Sequence, residues 1–234
     1  MTLEIKPIKT SFKEKHDIPD ILPQPAFRLI LVAPSSSGKT TLVNNLLTRP
    51  EFGYKKLFKK NIFLFSPSIK YDDALDKLGV KEENTRSHYD EDFINEIVED
   101  QKTTINKHTK EKAPHILMLF DDIVFELPKT KSSELKKLFF YGRKFKISLI
   151  ITTQKYRQLE PAYRLNASQY VYFLNINTRE YDAIADDQPV SKPIFKSIWR
   201  NAVEHGEYSF IYVNLTQKLK DRYYINFTER VRIK

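Results

Sequence analysis

The chain has no cysteine. Disulfides and thiolate metal sites are therefore excluded, which fits a reducing compartment. No apolar stretch approaches the roughly 20 residues of a membrane-spanning helix, so no membrane-spanning segment is expected. The N-terminal MTLEIKPIKTSFKEKHD lacks the apolar core of a signal peptide, and the protein is expected to stay where it is made rather than be secreted. The histidines His16, His88, His108, His115 and His205 stand apart with no metal-ligand spacing. They read as surface or packing residues, and a structural zinc is not expected. Internal repeats and low-complexity tracts are also missing.

What is present is the composition of a folded protein, with 41% hydrophobic and 29% charged residues. A chain of 234 residues buries on the order of 70% of its unfolded surface as one large domain. We expect an N-terminal extension over residues 1–25, charged and punctuated by proline, followed by one domain over residues 26–234. The formal charge is +9, with 39 Lys and Arg against 30 Asp and Glu. That excess favours polyanionic partners, and much of it lies in the clusters Lys55-Lys56, Lys59-Lys60, Lys136-Lys137 and Lys218 to Arg222.

Ala33 to Thr40 reads APSSSGKT, behind the apolar run Phe27 to Val32 and ahead of the helix-like Thr41 to Leu47. This is the P-loop pattern G-x-x-x-x-G-K-[ST] in the strand–loop–helix setting it requires. The segment Ala33, Pro34, Ser35, Ser36, Ser37, Gly38, Lys39, Thr40 and Thr41 is expected to cradle the phosphates of ATP, with the positive end of the helix aimed at the same anion. Lys39 is placed to reach the β- and γ-phosphates and the Thr40 hydroxyl to ligate Mg²⁺. Ala33 stands where the first glycine belongs and lacks glycine's freedom at positive φ.

Further apolar runs predict strands at Asn61–Phe65, His115–Phe120, Ile147–Thr153 and Tyr170–Leu174. Helical spacing predicts helices over Asp90–Lys107, over Ser132–Phe145 with Ser132 or Ser133 as cap, and over Ile194–Glu204. Strands alternating with helices predict an α/β fold with a mostly parallel sheet flanked by helices. Tyr208–Val213 and Tyr223–Phe227 read as a closing C-terminal β-hairpin with a basic turn between them.

His115 to Asp122, HILMLFDD, is an apolar strand ending in two acids, the Walker B arrangement. Asp121 is expected to hold Mg²⁺ through its water shell, and Asp122 to accept a proton from the attacking water. Asp is shorter than the usual Glu at the second position, which shortens the reach of that base. Gln154 ends the next strand, where a polar residue can sense the γ-phosphate or orient the water.

The order APSSSGKT, IFLFSPS, ILMLFDD and YGRKFKISLIITTQ resembles the FtsK–HerA superfamily of DNA-pumping ATPases, and most closely its genome-packaging branch in large double-stranded DNA viruses and virophages. Tyr163-Arg164-Leu165-Asn166 ahead of Tyr170-Val171-Tyr172-Phe173 resembles that branch's Arg-x-Asn segment. The resemblance implies a P-loop NTPase core of the RecA-like (ASCE) kind, with ATP and Mg²⁺ as cofactors. It also implies a homo-oligomeric ring, a pentamer or hexamer, that drives double-stranded DNA without regard to sequence through a capsid vertex. Its setting would be the virion or a cytoplasmic or nuclear virus factory. A trans arginine, worth about 10³ to 10⁵ in rate, is implied by such a ring; Arg143 is the first candidate and Arg164 the second.

Other readings stay open at this level. A cellular HerA- or FtsK-like translocase or helicase would share these motifs, as would a module that clamps DNA under nucleotide control without turnover. A GTPase is disfavoured because Asn106-Lys107-His108-Thr109 has Thr where guanine recognition needs Asp. A kinase is disfavoured because no lid with clustered arginines is evident.

Overall fold

Unbroken runs of Ile, Leu, Val and Phe can be satisfied only by strands covered on both faces. The computed structural model describes residues 14–128 and 133–233. Its strands are β1 (Arg28–Val32), β2 (Ile62–Phe65), the two-residue β3 (Thr85–Arg86), β4 (Ile116–Asp121), β5 (Ile147–Thr153), β6 (Gln169–Phe173), β7 (Phe210–Asn214), β8 (Tyr223–Ile225) and β9 (Glu229–Arg230). They form one sheet in the order β3-β2-β4-β5-β1-β6-β7-β8-β9. The strands from β3 to β6 in that order are parallel, and β7, β8 and β9 join antiparallel.

The helices are α1 (Lys39–Thr48), α2 (Tyr54–Phe58), α3 (Asp73–Asp76), α4 (Glu91–His108), α5 (Glu134–Tyr141), α6 (Pro161–Arg164), α7 (Thr178–Asp186) and α8 (Lys192–Val203). They divide between the two faces of the sheet. Alternate residues of β1 show the division: Ile30 and Val32 enter the core with Ile97 of α4, Leu138 of α5, Ile184 of α7 and Phe195 of α8. Leu29 and Leu31 enter the core with Val43 and Leu46 of α1 and Phe58 of α2. The second core also takes Ile18 and Leu22, so the described part of the N-terminal segment packs on this face. Tyr54 donates to the carbonyl of Pro23 at 2.7 Å, and Asn214 to that of Ile21 at 3.4 Å.

Side-chain caps set several helix starts. Asp90 accepts from the Phe93 amide at 3.0 Å, and Ser133 from the Lys136 amide at 3.3 Å. The predicted helix over Ser132–Phe145 is shorter, because α5 stops at Tyr141 and Gly142–Phe145 tightens into a 3₁₀ turn. Ser132 lies outside the described residues. The predicted strand at Tyr170 begins one residue earlier, and the C-terminal hairpin gains a third strand in β9.

His115 is buried, and its Nε2 lies 2.7 Å from the Glu14 carboxylate. The Lys146 ammonium donates to the other Glu14 oxygen and to the carbonyls of Lys110, Glu111 and Ala113. His16 completes the group, its ring edge-on to His115 at 4.8 Å. Sequence spacing could not reveal this cluster, since its members lie 101 residues apart. Glu14, His16 and His115 are close enough to hold a metal ion, but the ammonium already engages Glu14, so the group is an ion-paired clasp.

Burial pulls His115 down to about 4, and the Lys146 and His115 bonds outweigh burial to hold Glu14 below its ordinary range. The unfolded chain therefore takes up the His115 proton near pH 6.5 while the fold refuses it until about 4. Stability from this site is full above pH 6.5 and falls as pH drops, by up to about 1.4 kcal/mol per pH unit. We expect the melting temperature of His115→Gln to depend less on pH between 6.5 and 4 than that of the parent; parallel curves would assign the acid sensitivity to other groups.

Candidate active site

Parallel strands deliver their carboxyl ends to one edge of the sheet, so the residues following β1, β4 and β5 must meet there. The loop after β1 opens with Ala33, whose amide donates to the Thr153 carbonyl of β5 at 3.0 Å. Among the described residues of this loop, positive φ falls on Ser36 (61°) and Gly38 (90°) and not on Ala33, so a side chain is tolerated where the pattern has its first glycine. Ser37 donates to the Pro34 carbonyl at 2.6 Å and closes the turn. Gly38 starts α1 with no side-chain cap, so the first-turn amides are not claimed by a capping oxygen. Together the loop, Lys39, Thr40 and Thr41 line a cleft of 710 Å³ that extends to Asp122 on one side and to Phe173, Tyr208 and Phe210 on the other.

Asp121 ends β4 and is buried. Its Oδ1 accepts from the Thr152 hydroxyl at 2.6 Å and its Oδ2 from the Ser66 hydroxyl at 3.1 Å. Burial pushes the Asp121 carboxyl above the ordinary carboxylate range, against the pull of Lys39 4.0 Å away and of the Thr152 bond. Asp122 follows with φ of 53°, a left-handed conformation that Asp adopts more readily than most residues. Its amide donates to Thr152 Oγ1 at 3.2 Å, and its carboxylate pairs directly with the Lys39 ammonium. Gln154 donates to Asp122 Oδ2 at 3.2 Å and accepts from the Ser35 hydroxyl at 3.4 Å.

The residues Ser35, Lys39, Asp121, Asp122 and Gln154, expected from the sequence to act together, are thus joined in one network. The two arginines are not part of it. Arg143 is exposed in the turn ahead of β5, at the edge of the sheet opposite the cleft, where burial and, to a lesser degree, the Arg143 charge lower the pKa of the neighbouring Arg28 guanidinium. Arg164 is engaged within its own chain: it donates to Asp187 at 2.7 Å and lies 5.1 Å over the Tyr156 ring.

The basic clusters also differ from one another. Lys136 and Lys137 are paired, with Glu160 at 2.5 Å and Glu134 at 3.0 Å. Lys55, Lys56, Lys59, Lys60, Lys218 and Lys220 are exposed. Lys59 and Lys60 precede β2, and the turn carrying Lys218 follows β7 where Asn214 pairs with the start of β6. Both therefore stand at the same edge as Arg143, away from the cleft.

Sequence reasoning did not assign roles to Ser66 or Thr152, although both hydroxyls hold Asp121. Ser66 was visible only as the end of a strand before Pro67. Phe173, Tyr208 and Phe210 carried no signal, because their place on the cleft depends on β7 returning beside β6.

A parallel sheet in which β5 separates the phosphate-loop strand from the strand ending in two acids defines a P-loop NTPase fold. The same fold is found in the DNA-packaging ATPase B204 from Sulfolobus Turreted Icosahedral Virus, with a TM-score of 0.60 at 14% identity over 90% of this chain and 99% of that one. The genome packaging NTPase B204 from Sulfolobus turreted icosahedral virus 2, solved with AMPPCP, gives 0.57 at 17% identity over 88% and 98%. Residues 14–214 match the Poxvirus A32 protein family, and the chain belongs to it. DNA packaging protein OPG160 of Variola virus is 26% identical over 181 residues, 76% of this chain and 64% of that protein. Its counterpart in Monkeypox virus is 26% identical over 185 residues, and the chain spans 59% of that protein's length.

Proposed function

We propose that this chain is an ATPase that moves double-stranded DNA into a viral capsid. The observation that carries the reading is the network in which the loop lysine, Lys39, reaches both acids at the end of β4 while Gln154 bridges Asp122 to the loop. Similarity to DNA packaging protein OPG160 of Variola virus supports packaging as the work done.

In this mechanism the loop amides and Lys39 bind the triphosphate, so Lys39 exchanges its carboxylate partner for phosphate oxygens. Asp122 is then free to accept a proton from the attacking water, which Gln154 orients through its amide. The donor set at Thr40 and Asp121 is all oxygen, as Mg²⁺ requires, and a carboxylate that already accepts two hydroxyl bonds keeps lone pairs for a hydrated cation. When bound, Mg²⁺ would neutralise charge developing on the phosphates. Arg143 is the candidate for the arginine supplied to a neighbouring subunit of a ring: it is exposed, whereas Arg164 is already tied to Asp187. DNA would be gripped by backbone contacts from the exposed lysines at the edge opposite the cleft, and the complex would work at a capsid vertex, in the virion or a virus factory. Stimulation of ATP hydrolysis by duplex DNA tests the reading as a whole; a DNA-independent ATPase, or binding without turnover, would count against it.

The chemistry predicts two different defects. Lys39→Ala should weaken ATP binding and abolish hydrolysis, whereas Asp122→Asn should retain binding and lose turnover. Near-parental hydrolysis by Asp122→Asn would show that another group takes the proton.

Assembly predicts complementation. Arg143→Ala subunits should be inactive alone and regain activity when mixed with Lys39→Ala subunits, because some interfaces then join an intact loop to an intact arginine. Mixed assemblies that form but stay inactive would return Arg143 to a structural role.

Binding to DNA should weaken linearly in log affinity with log salt, by about 0.9 per phosphate neutralised, with little dependence on sequence. Replacing Lys218, Lys220 and Arg222 together by Ala should lower affinity and flatten that slope while sparing basal hydrolysis. An unchanged slope would remove this turn from the DNA path.

A further inference from the structure

The cleft changes character along its length. At one end stand the loop serines, Lys39 and Asp122; at the other stand Leu42, Phe173, Tyr208 and Phe210. Tyr208 is 64% exposed, and among the described residues no Lys or Arg lies over its ring. It lies in the turn ahead of β7, which is closed by the Ser209 amide donating to the Gly206 carbonyl at 3.1 Å. The position of that turn is fixed because Phe210 pairs with Phe173 across β7 and β6.

The two buried rings lie 5.5 Å apart, and Phe227 packs edge-on against Phe210 at 5.0 Å, so packing holds the buried part of this cleft wall in place. A Cβ placed on Gly38 would lie 3.6 Å from the Tyr208 ring and 3.9 Å from the Phe173 ring. The aromatic wall therefore begins where the phosphate loop turns into α1.

We propose that Tyr208, on the cleft wall it shares with Phe173 and Phe210, is the platform on which the base of a nucleoside triphosphate stacks. The proposal rests on the reading of Ala33–Thr40 as the phosphate cradle. A ligand with a highly charged end and a flat aromatic end matches a cleft that is polar at Lys39 and aromatic at Tyr208. Stacking uses the π-face that every base possesses, so the ring supplies affinity without reading the base edge. Tyr208 is a binding residue in this account and takes no part in proton transfer.

The test compares the affinities of ATP and inorganic tripolyphosphate, each with Mg²⁺, for the full chain and for Tyr208→Ala and Tyr208→Phe. Because Tyr208 is largely exposed, neither substitution removes a core contact. Tyr208→Ala should weaken ATP by about ten- to a hundredfold and leave tripolyphosphate unchanged, since that ligand has no base. Tyr208→Phe keeps the ring and should retain most of the ATP affinity. Equal ATP affinity in parent and Tyr208→Ala would overturn the platform, and if the assembly's mass changed instead, the ring would be a subunit contact. Equal losses for ATP and tripolyphosphate would also overturn it. A parental chain that bound neither ligand would overturn the phosphate-cradle reading itself, a result distinct from either of these.

Discussion

The site depends on β5 lying between β1 and β4. Its register sets Val32 beside Thr153 and Asp121 beside Thr152, so the two outer strands end within one residue of each other. Two strand spacings, about 10 Å, then separate the start of the loop from the two acids, and the loop and the Lys39 side chain together span it, since the Lys39 ammonium reaches both acids. Thr152 does more than fill the space between. Its hydroxyl donates to Asp121 and accepts from the Asp122 amide, fixing the turn that gives Asp122 its left-handed conformation. The carboxylate of Asp122 faces Lys39 because the backbone is bent at that residue.

The loop, the acids and Gln154 were legible because each is a short polar string at the end of an apolar run, and parallel strands bring such ends together. The cap of α5 was legible for the same local reason, since Ser133 is one of the two caps expected there. Elements whose existence depends on tertiary contact were not. The helical signal of Thr178–Asp186 is short, only Tyr181, Ile184 and Ala185 at helical spacing, and α7 is secured by Asn177 accepting from the Glu180 amide and by Ile184 entering the core. Tyr208 and Ser66 belong to this second group, since their neighbours lie far along the chain. Histidine spacing likewise said nothing of Glu14, which brings His16 and His115 together.

The sheet also separates charge by direction. Its carboxyl edge carries the acids and the loop, and its amino edge carries Arg143, Lys59, Lys60 and the turn at Lys218. A parallel strand is the shortest covalent path between the two edges, and the β-structure between them is covered by apolar cores on both faces with few buried polar side chains, Ser148 of β5 among them. Such a slab transmits displacement poorly by bending and well by moving as a body. In the proposed motor, a change at the nucleotide cleft would therefore reach the amino edge as a reorientation of the whole subunit against its neighbours.

The electrostatics of the cleft favour that coupling. Lys39 is the cation that serves both Asp121 and Asp122, and burial already holds Asp121 above its ordinary range despite that help. Drawing the ammonium toward a phosphate leaves two adjacent carboxylates, one of them buried, without their counter-charge. A divalent cation bound beside the triphosphate would relieve that imbalance, and phosphates bound alone would leave it. Nucleotide and Mg²⁺ are thus expected to bind as a linked pair in the proposed mechanism, because the same lysine cannot satisfy the phosphates and the acids at once.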